Sequence, residues 1–393
     1  MESRIWSCGV TENDLSSTEM KISFNHPSVT DLERGYVLEA LNSNHYSGDG
    51  PFTRRCHAFL ERTLGVEKAL LTTSCTHALE MCALLLDLQP GDEVIVPSFT
   101  FVSTANAFAL RGATLVFADS RPDTLNVDET RLRDLITPRT RAIVVVHYAG
   151  VACDMEPILA LAAEAGVPVI EDNAHGLFGT YKGRWLGSLG ALATQSFHET
   201  KNFTCGEGGA LLINEPRWIE RAEILREKGT NRSRFFRGQI DKYSWVDLGS
   251  SYLPSDVLAA ILLGQLERWQ EIQSHRQHLW ETYADRLGAW ASSRGVRLPV
   301  VPEGCGQAWH MFYLLLPDLA SRTHLIQHLK DHGILAVFHY LPLHLSEMGR
   351  QWGGKPGDCP VTEELSDRLI RLPFFHAMTS AQQMEIIDCV TRF

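Results

Sequence analysis

Residues 193–213, ATQSFHETKNFTCGEGGALLI, contain the features that decide the fold. They predict a buried strand, then Lys201, then a glycine-rich turn and a second apolar strand. A lysine becomes a nucleophile when burial or nearby cations lower its pKa, because only the neutral amine attacks a carbonyl. Taken alone, however, Lys201 is better explained as a solvated loop residue. The rest of the chain has to decide between the two interpretations.

Short apolar runs alternate with amphipathic helical stretches through the first two thirds of the chain. Several runs, such as IVVV and LVFA, are apolar at every position, as strands covered on both faces must be. One helical stretch, MEPILALAAEAG, ends on a glycine that commonly stops a helix. The pattern predicts an α/β fold with a mostly parallel, seven-stranded sheet. The predicted strands are residues 69–73, 93–97, 114–119, 142–148, 168–172, 193–197 and 210–214.

The last third of the chain has a different pattern. A long helical run, residues 255–287, is expected to link two domains, and residues 311–317, 323–333 and 334–343 predict a strand, a helix and a strand. We therefore expect a mobile N-terminal extension at 1–21 and a large domain at 22–253. Residues 254–393 are expected to form the linking helix and a small α+β domain.

Composition excludes several classes of protein. The 393 residues carry 36 Lys and Arg against 47 Asp and Glu, a net charge of −11 that disfavours nucleic acid. With no apolar run of membrane-spanning length and no signal peptide, we expect a cytoplasmic protein with no membrane association. The nine cysteines lack a CxxC pair, which favours reduced thiols over disulfides or a zinc site.

Polar and aromatic residues follow the carboxyl ends of several predicted strands. A cofactor such as pyridoxal phosphate (PLP) requires a lysine, an anion cradle, a carboxylate for its pyridine nitrogen and a flat surface. Open α/β sheets bind ligands at the carboxyl ends of their strands. The candidate residues are Ser74, Cys75 and Thr76 before a helix, Phe99 or Phe101 as the stacking ring, Asp172, His175 and Ser196.

Each of these residues also has a structural explanation. Ser and Thr cap many helices, an acid at a strand end is usually solvated, and a histidine or phenylalanine there is often core. Their common position at one predicted sheet edge favours a shared cofactor site.

Five motifs together resemble the DegT/DnrJ/EryC1/StrS aminotransferase family, whose members include sugar aminotransferases. They are SFHETKNFTCGEGG, TTSCTHALE, PSFTFVSTANA, EDNAHG and HYLPLH, and the resemblance extends from about Ile22 to the C-terminus. It implies the PLP fold-type I aminotransferase architecture.

The resemblance also implies residue roles. Lys201 would carry PLP as a Schiff base, Asp172 would pair with the pyridine nitrogen, and Phe101 would stack on the ring. Ser196, with Cys75 and Thr76, would bind phosphate. Many relatives carry glutamine where His175 stands and asparagine where Ser251 stands, a position that reaches the phosphate of the neighbouring subunit. Some members replace the lysine with histidine and are dehydratases, so Lys201 favours amino transfer.

Substrates are implied in the same way. GDGPFTRRC, REKGTNRSRFFRGQIDKYSW and GSSYLPSD resemble members that make dTDP-4-amino-4,6-dideoxygalactose from a dTDP-4-keto-6-deoxyhexose and L-glutamate, as homodimers.

Arg232 and Lys242 lie in a basic segment that could meet a nucleotide diphosphate or form a solvated loop. His339 and Tyr340 could face the site or be structural. His339 and His344 flank Pro342, so no helical metal pair is expected there. The alternatives are different regio- or stereochemistry, a PLP-dependent dehydratase or a non-catalytic PLP-binding regulator.

Overall fold

The structure is a computed structural model that describes residues 20–393. Most of the predicted N-terminal extension, 1–19, lies outside the described residues. In the part that is described, no helix is long and apolar enough to cross a membrane.

The described chain contains twelve α-helices and twelve β-strands. The helices are α1 (Asp31–Asn42), α2 (Pro51–Leu64), α3 (Cys75–Leu85), α4 (Val102–Ala109), α5 (Met155–Ala165), α6 (Ile219–Arg226), α7 (Arg232–Phe236), α8 (Asp256–Glu267), α9 (Trp269–Ser293), α10 (Leu319–Asp331), α11 (Pro360–Arg368) and α12 (Ser380–Arg392). The strands are β1 (Lys68–Thr72), β2 (Glu93–Pro97), β3 (Thr114–Ala118), β4 (Thr140–Val146), β5 (Val169–Asp172), β6 (Thr180–Tyr181), β7 (Arg184–Trp185), β8 (Leu192–Ser196), β9 (Gly209–Ile213), β10 (Cys305–Gly306), β11 (Tyr313–Leu315) and β12 (Leu369–Arg371).

A seven-stranded sheet with the order β1-β9-β8-β5-β4-β2-β3 forms the centre of the large part of the molecule. Strands β3, β2, β4, β5 and β8 run parallel, whereas β9 is antiparallel to both β8 and β1. The predicted mostly parallel α/β sheet is confirmed, and each predicted strand matches an observed one to within two residues at either end.

The apolar strands form a core on both faces of this sheet, as their composition requires. On one face, Ile143 and Val145 pack with Met155 and Ile158 of α5. On the other face, Val144 and Ile170 pack against α3. Because side chains alternate along a strand, neighbouring residues of β5 face opposite layers. This alternation separates Glu171 from Asp172.

A second apolar core lies in the C-terminal third, formed by α9, α10, α12 and the two-stranded β11–β12 sheet. Ile22 also packs in this core and pairs with Ile334, although we expected residue 22 to begin the large domain. The strand predicted for residues 334–343 is absent. Only Ile334 and Val337 make isolated bridges there, since Pro342 lacks an N–H and the segment has few strand partners.

The long helical run predicted for residues 255–287 is two helices rather than one. Arg268 has φ −101° and ψ 16°, so it ends α8 and precedes α9. Its guanidinium bonds Glu33 of α1 at 3.0 Å and Glu271 of α9 at 2.6 Å. Glu33 is fully buried, so the break lets Arg268 neutralise its charge.

Glu171 fixes the carboxyl end of β5 by accepting four hydrogen bonds. Its oxygens accept the backbone N–H groups of Gly187, Leu189 and Gly190 at 2.6–2.8 Å and bond His147 Nε2 at 2.8 Å. Burial opposes the ionisation of Glu171, but the bonds from His147 and the loop amides outweigh it and keep the pKa below its usual value. These four hydrogen bonds, which we call the Glu171 clamp, hold the 187–190 loop against the strand that carries Asp172.

We predict that Glu171→Gln destabilises the fold by about 3 kcal/mol, because the amide places its NH₂ against N–H donors and removes the charge. Since folding lowers the pKa of Glu171, the wild-type advantage should be present above the ordinary carboxyl pKa and shrink as the pH falls. Urea unfolding at pH 7 and pH 4 measures both effects. Glu164→Gln, at an exposed ion pair with Arg133, is the control and should change little. Equal stability of the two variants would contradict the clamp.

Candidate active site

The candidate site lies at the carboxyl edge of the central strands. In the register of β5 and β8, Asp172 is the direct neighbour of Thr194. Ser196 is two residues beyond Thr194 and therefore lies on the same face of the sheet. Lys201 follows β8 by five residues, so it comes within charge–charge range of Asp172. The sequence thus brings a carboxylate and an amine to one edge.

The amine of Lys201 has no hydrogen bond or ion pair with another residue in 20–393. Desolvation by the surrounding protein lowers its pKa to about 8, against the opposing attraction of Asp172. About a tenth of the amine is therefore neutral at pH 7, and the neutral fraction rises with pH. This is the chemical state that the sequence interpretation of Lys201 as a nucleophile requires.

Asp172 is 5% exposed and belongs to a chain of hydroxyl hydrogen bonds. Its Oδ2 accepts from Thr104 Oγ1 at 2.7 Å, which in turn lies 2.7 Å from Thr100 Oγ1, and its Oδ1 accepts from Ala174 N–H at 3.2 Å. Burial raises the pKa of Asp172, whereas the hydrogen bonds and Lys201 oppose that shift. A cationic group beside this carboxylate would complete its neutralisation.

The N-terminus of α3 forms an anion cradle beside β8 and β9. Ser74 caps the helix by accepting from His77 N–H at 3.1 Å, while the amides of Cys75 and Thr76 have no acceptor within the described chain. A Cβ at Gly209 would lie 2.3–2.5 Å from the backbone of Ser74 and Cys75. Only glycine lets the helix end approach β9 this closely, and the free amides favour a phosphate.

Of the two phenylalanines considered from the sequence, Phe101 is the one available for stacking. It is 57% exposed at the start of α4, whereas Phe99 is 2% exposed and packs among Tyr148, His339 and Tyr340. A large exposed ring beside a polar cleft is typical of a ligand surface.

His175 stacks on a second histidine that the sequence analysis did not identify. The rings of His175 and His310 are 4.2 Å apart and nearly parallel, and His310 Nδ1 bonds Asn202 Oδ1 at 2.9 Å. Burial and Lys201 lower the pKa of His175, so it is neutral. Its Nε2 lies 3.3 Å from Tyr340 Oη, and its buried Nδ1 has no partner among residues 20–393. Asn202 follows Lys201 directly, so His310 supports the lysine turn.

His339 and Tyr340 lie in the same aromatic cluster as His175. Their rings stack at 3.6 Å, and Tyr148 Oη bonds His339 Nδ1 at 2.6 Å. The cluster presents hydroxyl and imidazole groups beside Phe101, whose ring centroid is 6.4 Å from that of Tyr340. The structure therefore places both predicted residues next to the group formed by Lys201, Asp172, His175 and Phe101, which we call the lysine cleft.

Arg371, at the end of β12, is a functional candidate that sequence reasoning missed. Its guanidinium stacks on Phe24 at 4.7 Å but makes no hydrogen bond or ion pair in the described chain, and its Nε is buried. Burial lowers its pKa, while nearby Tyr148 and Tyr340 oppose the shift. Its charge also acts on Lys201. The single signal in the sequence is an arginine inside the apolar run LIRLPFF.

Three predicted residues lie away from this cluster within the chain. Ser251 is exposed and pairs with Glu227. Arg232 lies 3.9 Å from Glu227 and over the rings of Phe236 and Tyr243, and Lys242 is exposed. In the described chain, none of the three forms a hydrogen bond or an ion pair with Lys201, Asp172 or Ser196.

His344 is fully buried and belongs to a structural network. It bonds Ser98 Oγ at 2.6 Å and Glu363 Oε1 at 3.0 Å. Ser98 follows β2 and Glu363 lies in α11, so the imidazole connects the two parts of the molecule.

The arrangement fits PLP on four physical grounds. Lys201 offers a neutral amine, Asp172 a buried carboxylate in need of a cation, the α3 N-terminus free amides, and Phe101 an exposed ring. The cradle also explains why Gly209 has no side chain. No single residue would indicate the cofactor, but the combination does.

Comparison with known proteins agrees with this geometry. The DegT/DnrJ/EryC1/StrS aminotransferase family model matches residues 27–391. The spore coat polysaccharide biosynthesis protein SpsC of Bacillus subtilis is 32% identical, over 94% of this chain and 96% of its own length.

Solved structures give the same result. The aminotransferase TlmJ from Streptoalloteichus hindustanus has a TM-score of 0.87 and 32% identity, covering 94% of this chain and 98% of that one. The PLP form of Spr1654 from Streptococcus pneumoniae, a candidate sugar aminotransferase, has a TM-score of 0.86 and 26% identity over 94% and 98% of the two chains. The chain belongs to the DegT/DnrJ/EryC1/StrS aminotransferase family and is a PLP-dependent aminotransferase.

Proposed function

We propose that this aminotransferase moves the amino group of L-glutamate to C4 of a dTDP-4-keto-6-deoxyhexose, giving dTDP-4-amino-4,6-dideoxygalactose. The observation that carries the transfer is the unpaired, partly neutral amine of Lys201 beside Asp172. A sugar acceptor is supported by SpsC, described as a polysaccharide biosynthesis protein, and by Spr1654. The motifs GDGPFTRRC and GSSYLPSD support the specific sugar.

The proposed cofactor contacts follow from the groups left without partners. The amides of Cys75 and Thr76, with the hydroxyls of Ser74 and Ser196, hold the phosphate. Asp172 would hold the ring nitrogen, Phe101 would offer a flat surface to the ring, and His175 would border the site with its unpartnered Nδ1. When bound, PLP supplies an electrophilic carbonyl and an electron-accepting ring.

Lys201 Nζ is the proposed proton carrier. As a neutral amine it can accept the α-proton of the amino donor and return a proton to the acceptor carbon. Its pKa of about 8 suits both tasks, because the ideal acid–base pKa lies near the working pH. Asn202, bonded to His310, keeps the lysine turn in place during both halves of the reaction.

The sugar is proposed to lie against the polar aromatic cluster of His339 and Tyr340. Hydroxyl and imidazole groups there can exchange hydrogen bonds with sugar hydroxyls. Arg232 and Lys242 are proposed contacts of the nucleotide diphosphate. Other cations of that segment are already paired, for example Arg237 with Glu223 at 2.8 Å, whereas Lys242 has no ion pair in the described chain.

Arg371 is the proposed anchor for the α-carboxylate of L-glutamate. A partly buried guanidinium without an anion is costly, and a carboxylate can accept from two of its N–H groups at once. Arg371 shares its surroundings with Lys201 and His175, so a donor bound there has its α-carbon near the amine. The diphosphate of the sugar nucleotide is the other anion that Arg371 could bind.

A homodimer is the proposed assembly. Large apolar side chains are exposed along the 232–248 segment, including Phe236 at 69% and Trp245 at 76%, and near α4, where Leu110 is 63% exposed. Patches of this kind are typical of subunit interfaces. A partner covering them would bring Ser251, Arg232 and Lys242 to the neighbouring site, which explains why none reaches Lys201 in its own chain.

The substrate assignment predicts turnover of dTDP-4-keto-6-deoxyglucose with L-glutamate. NMR of the product should show a 4-amino sugar with the galacto configuration and one 2-oxoglutarate per turnover. A 3-amino product, a gluco product or loss of oxygen without glutamate consumption would overturn it.

In the same assay, Lys201→Ala should lower the rate at least about 1,000-fold, because it removes the acid–base group. Lys182→Ala, at an exposed lysine paired with Glu156, is the matched control and should keep wild-type turnover.

We predict that Arg371→Met lowers kcat/KM for L-glutamate about 10- to 100-fold, the loss expected for one charged hydrogen-bonded contact. Its KM for the sugar nucleotide should change little, and Arg371→Lys should recover part of the loss. Steady-state kinetics with each substrate varied separately measure this. Arg322→Met, at another arginine beside a phenylalanine ring, is the control. A larger effect on the sugar nucleotide than on glutamate would assign Arg371 to the diphosphate instead.

We predict that Trp245→Glu shifts the enzyme from dimer to monomer, since it places a charge in an apolar contact surface. Sedimentation velocity over a range of concentrations measures the mass, and PLP retention should fall with the dimer fraction. Val300→Glu changes another exposed apolar residue and should leave the dimer intact. A Trp245→Glu protein with the mass and concentration dependence of the wild type would disprove the interface.

A further inference from the structure

A cluster of metal-ligating side chains lies in the C-terminal core, away from the lysine cleft. His328 of α10, His332 just after α10 and Cys389 of α12 each offer one donor atom, and these atoms lie within 4.8 Å of one another. Imidazole and thiolate are the ligands that Zn²⁺ prefers. The cluster joins two helices that are distant in sequence.

The two histidines are four residues apart at the end of one helix. This spacing puts both imidazoles on the same side, and their ring centroids are 4.5 Å apart. His332 Nδ1 lies 2.8 Å from the carbonyl of His328, and His328 Nε2 lies 3.1 Å from the carbonyl of Cys389. Each carbonyl accepts a ring N–H, so the second nitrogen of each ring keeps its lone pair. Metal-bound histidines are held in this way.

The thiol of Cys389 is available to a cation. Cys389 is 6% exposed, and its sulfur has no hydrogen bond with another residue in 20–393. A soft divalent cation can therefore bind this sulfur without displacing another protein group.

An open depression gives access to the cluster from solvent. It encloses about 560 Å³ and is lined by His332 and Cys389 together with Asp331, Glu385 and Asp388. A hydrated cation can enter there, and a carboxylate or water can complete four-coordination.

We propose that His328, His332 and Cys389 form a structural zinc site that fastens α12 to the end of α10. The bound cation would also stiffen the chain beyond it, because the segment that follows His332 holds Ile22: the carbonyl of Gly333 accepts from Ile22 N–H at 3.1 Å, and Leu335 N–H donates to the carbonyl of Ile22 at 3.0 Å. The proposal does not depend on the substrate assigned above, since no group of the cluster contacts the lysine cleft. The expectation of no zinc site rested on the absence of a CxxC pair and on the spacing of His339 and His344, whereas the His-x₃-His spacing of His328 and His332 is the signal in the sequence.

The experiment measures Zn²⁺ binding to the PLP-loaded enzyme by competition with a chromogenic chelator, alongside the melting temperature with and without Zn²⁺. His332→Ala removes an exposed side chain and should fold normally. His324→Ala removes another exposed histidine, one turn before His328 on α10, and serves as the matched control.

We expect the wild type and His324→Ala to bind one zinc tightly and to melt at a higher temperature with it. His332→Ala should bind at least about 100-fold more weakly, because losing a ligand costs more than losing an outer contact. X-ray absorption should show one sulfur at about 2.3 Å and nitrogens at about 2.0 Å. Equal binding by wild type and His332→Ala, or a zinc without a sulfur neighbour, would overturn the proposal.

Discussion

The carboxylate of Glu171 joins three parts of the chain that the active site needs in fixed positions. It bonds the 187–190 loop, which precedes β8, and His147, which follows β4, while its own strand ends at Asp172. Because β4, β5 and β8 are parallel neighbours, their carboxyl ends meet at one edge. Four hydrogen-bond donors offset most of the desolvation cost of burying the Glu171 carboxylate. From the face of the sheet opposite the site, Glu171 fixes the carboxyl edge of these strands. The position of Asp172 beside Thr194, and of Lys201 after β8, depends on this arrangement.

The site itself consists of groups whose bonding is incomplete within the chain. The amine of Lys201 contacts no anion, and the guanidinium of Arg371 has no polar partner in the described residues. The buried Nδ1 of His175 has no hydrogen bond there either. Burying such groups costs several kcal/mol in total, since each costs about 1–3 kcal/mol. A folded protein tolerates this free-energy cost at a binding site, because the ligand removes the cost when it binds. PLP and a dicarboxylate donor together would supply the missing cation, phosphate and carboxylate.

Much of this could be predicted from the sequence because the signals are local. Apolar runs defined all seven strands, and the carboxyl-edge rule brought Asp172, Ser196 and Lys201 together. The errors came from long-range contacts. The helix break at Arg268 depends on buried Glu33 of α1, and residues 334–343 lack the strand partners that their apolar pattern suggested. His310 and Arg371 were missed because their roles depend on distant segments, Asn202 for one and the lysine cleft for the other.

Three pairs of residues of the same kind differ in how many hydrogen bonds their side chains make. The member with all its hydrogen bonds made supports the fold, and the member with bonds left unmade lies at the candidate site. Glu171 and Asp172 are adjacent acids, yet Glu171 has four donors while Asp172 has two and a nearby amine. His147 is bonded at both nitrogens, whereas His175 has one free. The guanidinium of Arg276 donates to the carbonyls of Trp309 and His310 at 2.8 and 2.6 Å, whereas the guanidinium of Arg371 has no acceptor in the described chain. In each pair the saturated member stabilises the scaffold and the unsaturated member faces the cleft. Around Lys201, these unpartnered groups are where a ligand can complete the hydrogen bonds, whereas other buried atoms without a partner, such as Trp280 Nε1, lie in the second apolar core.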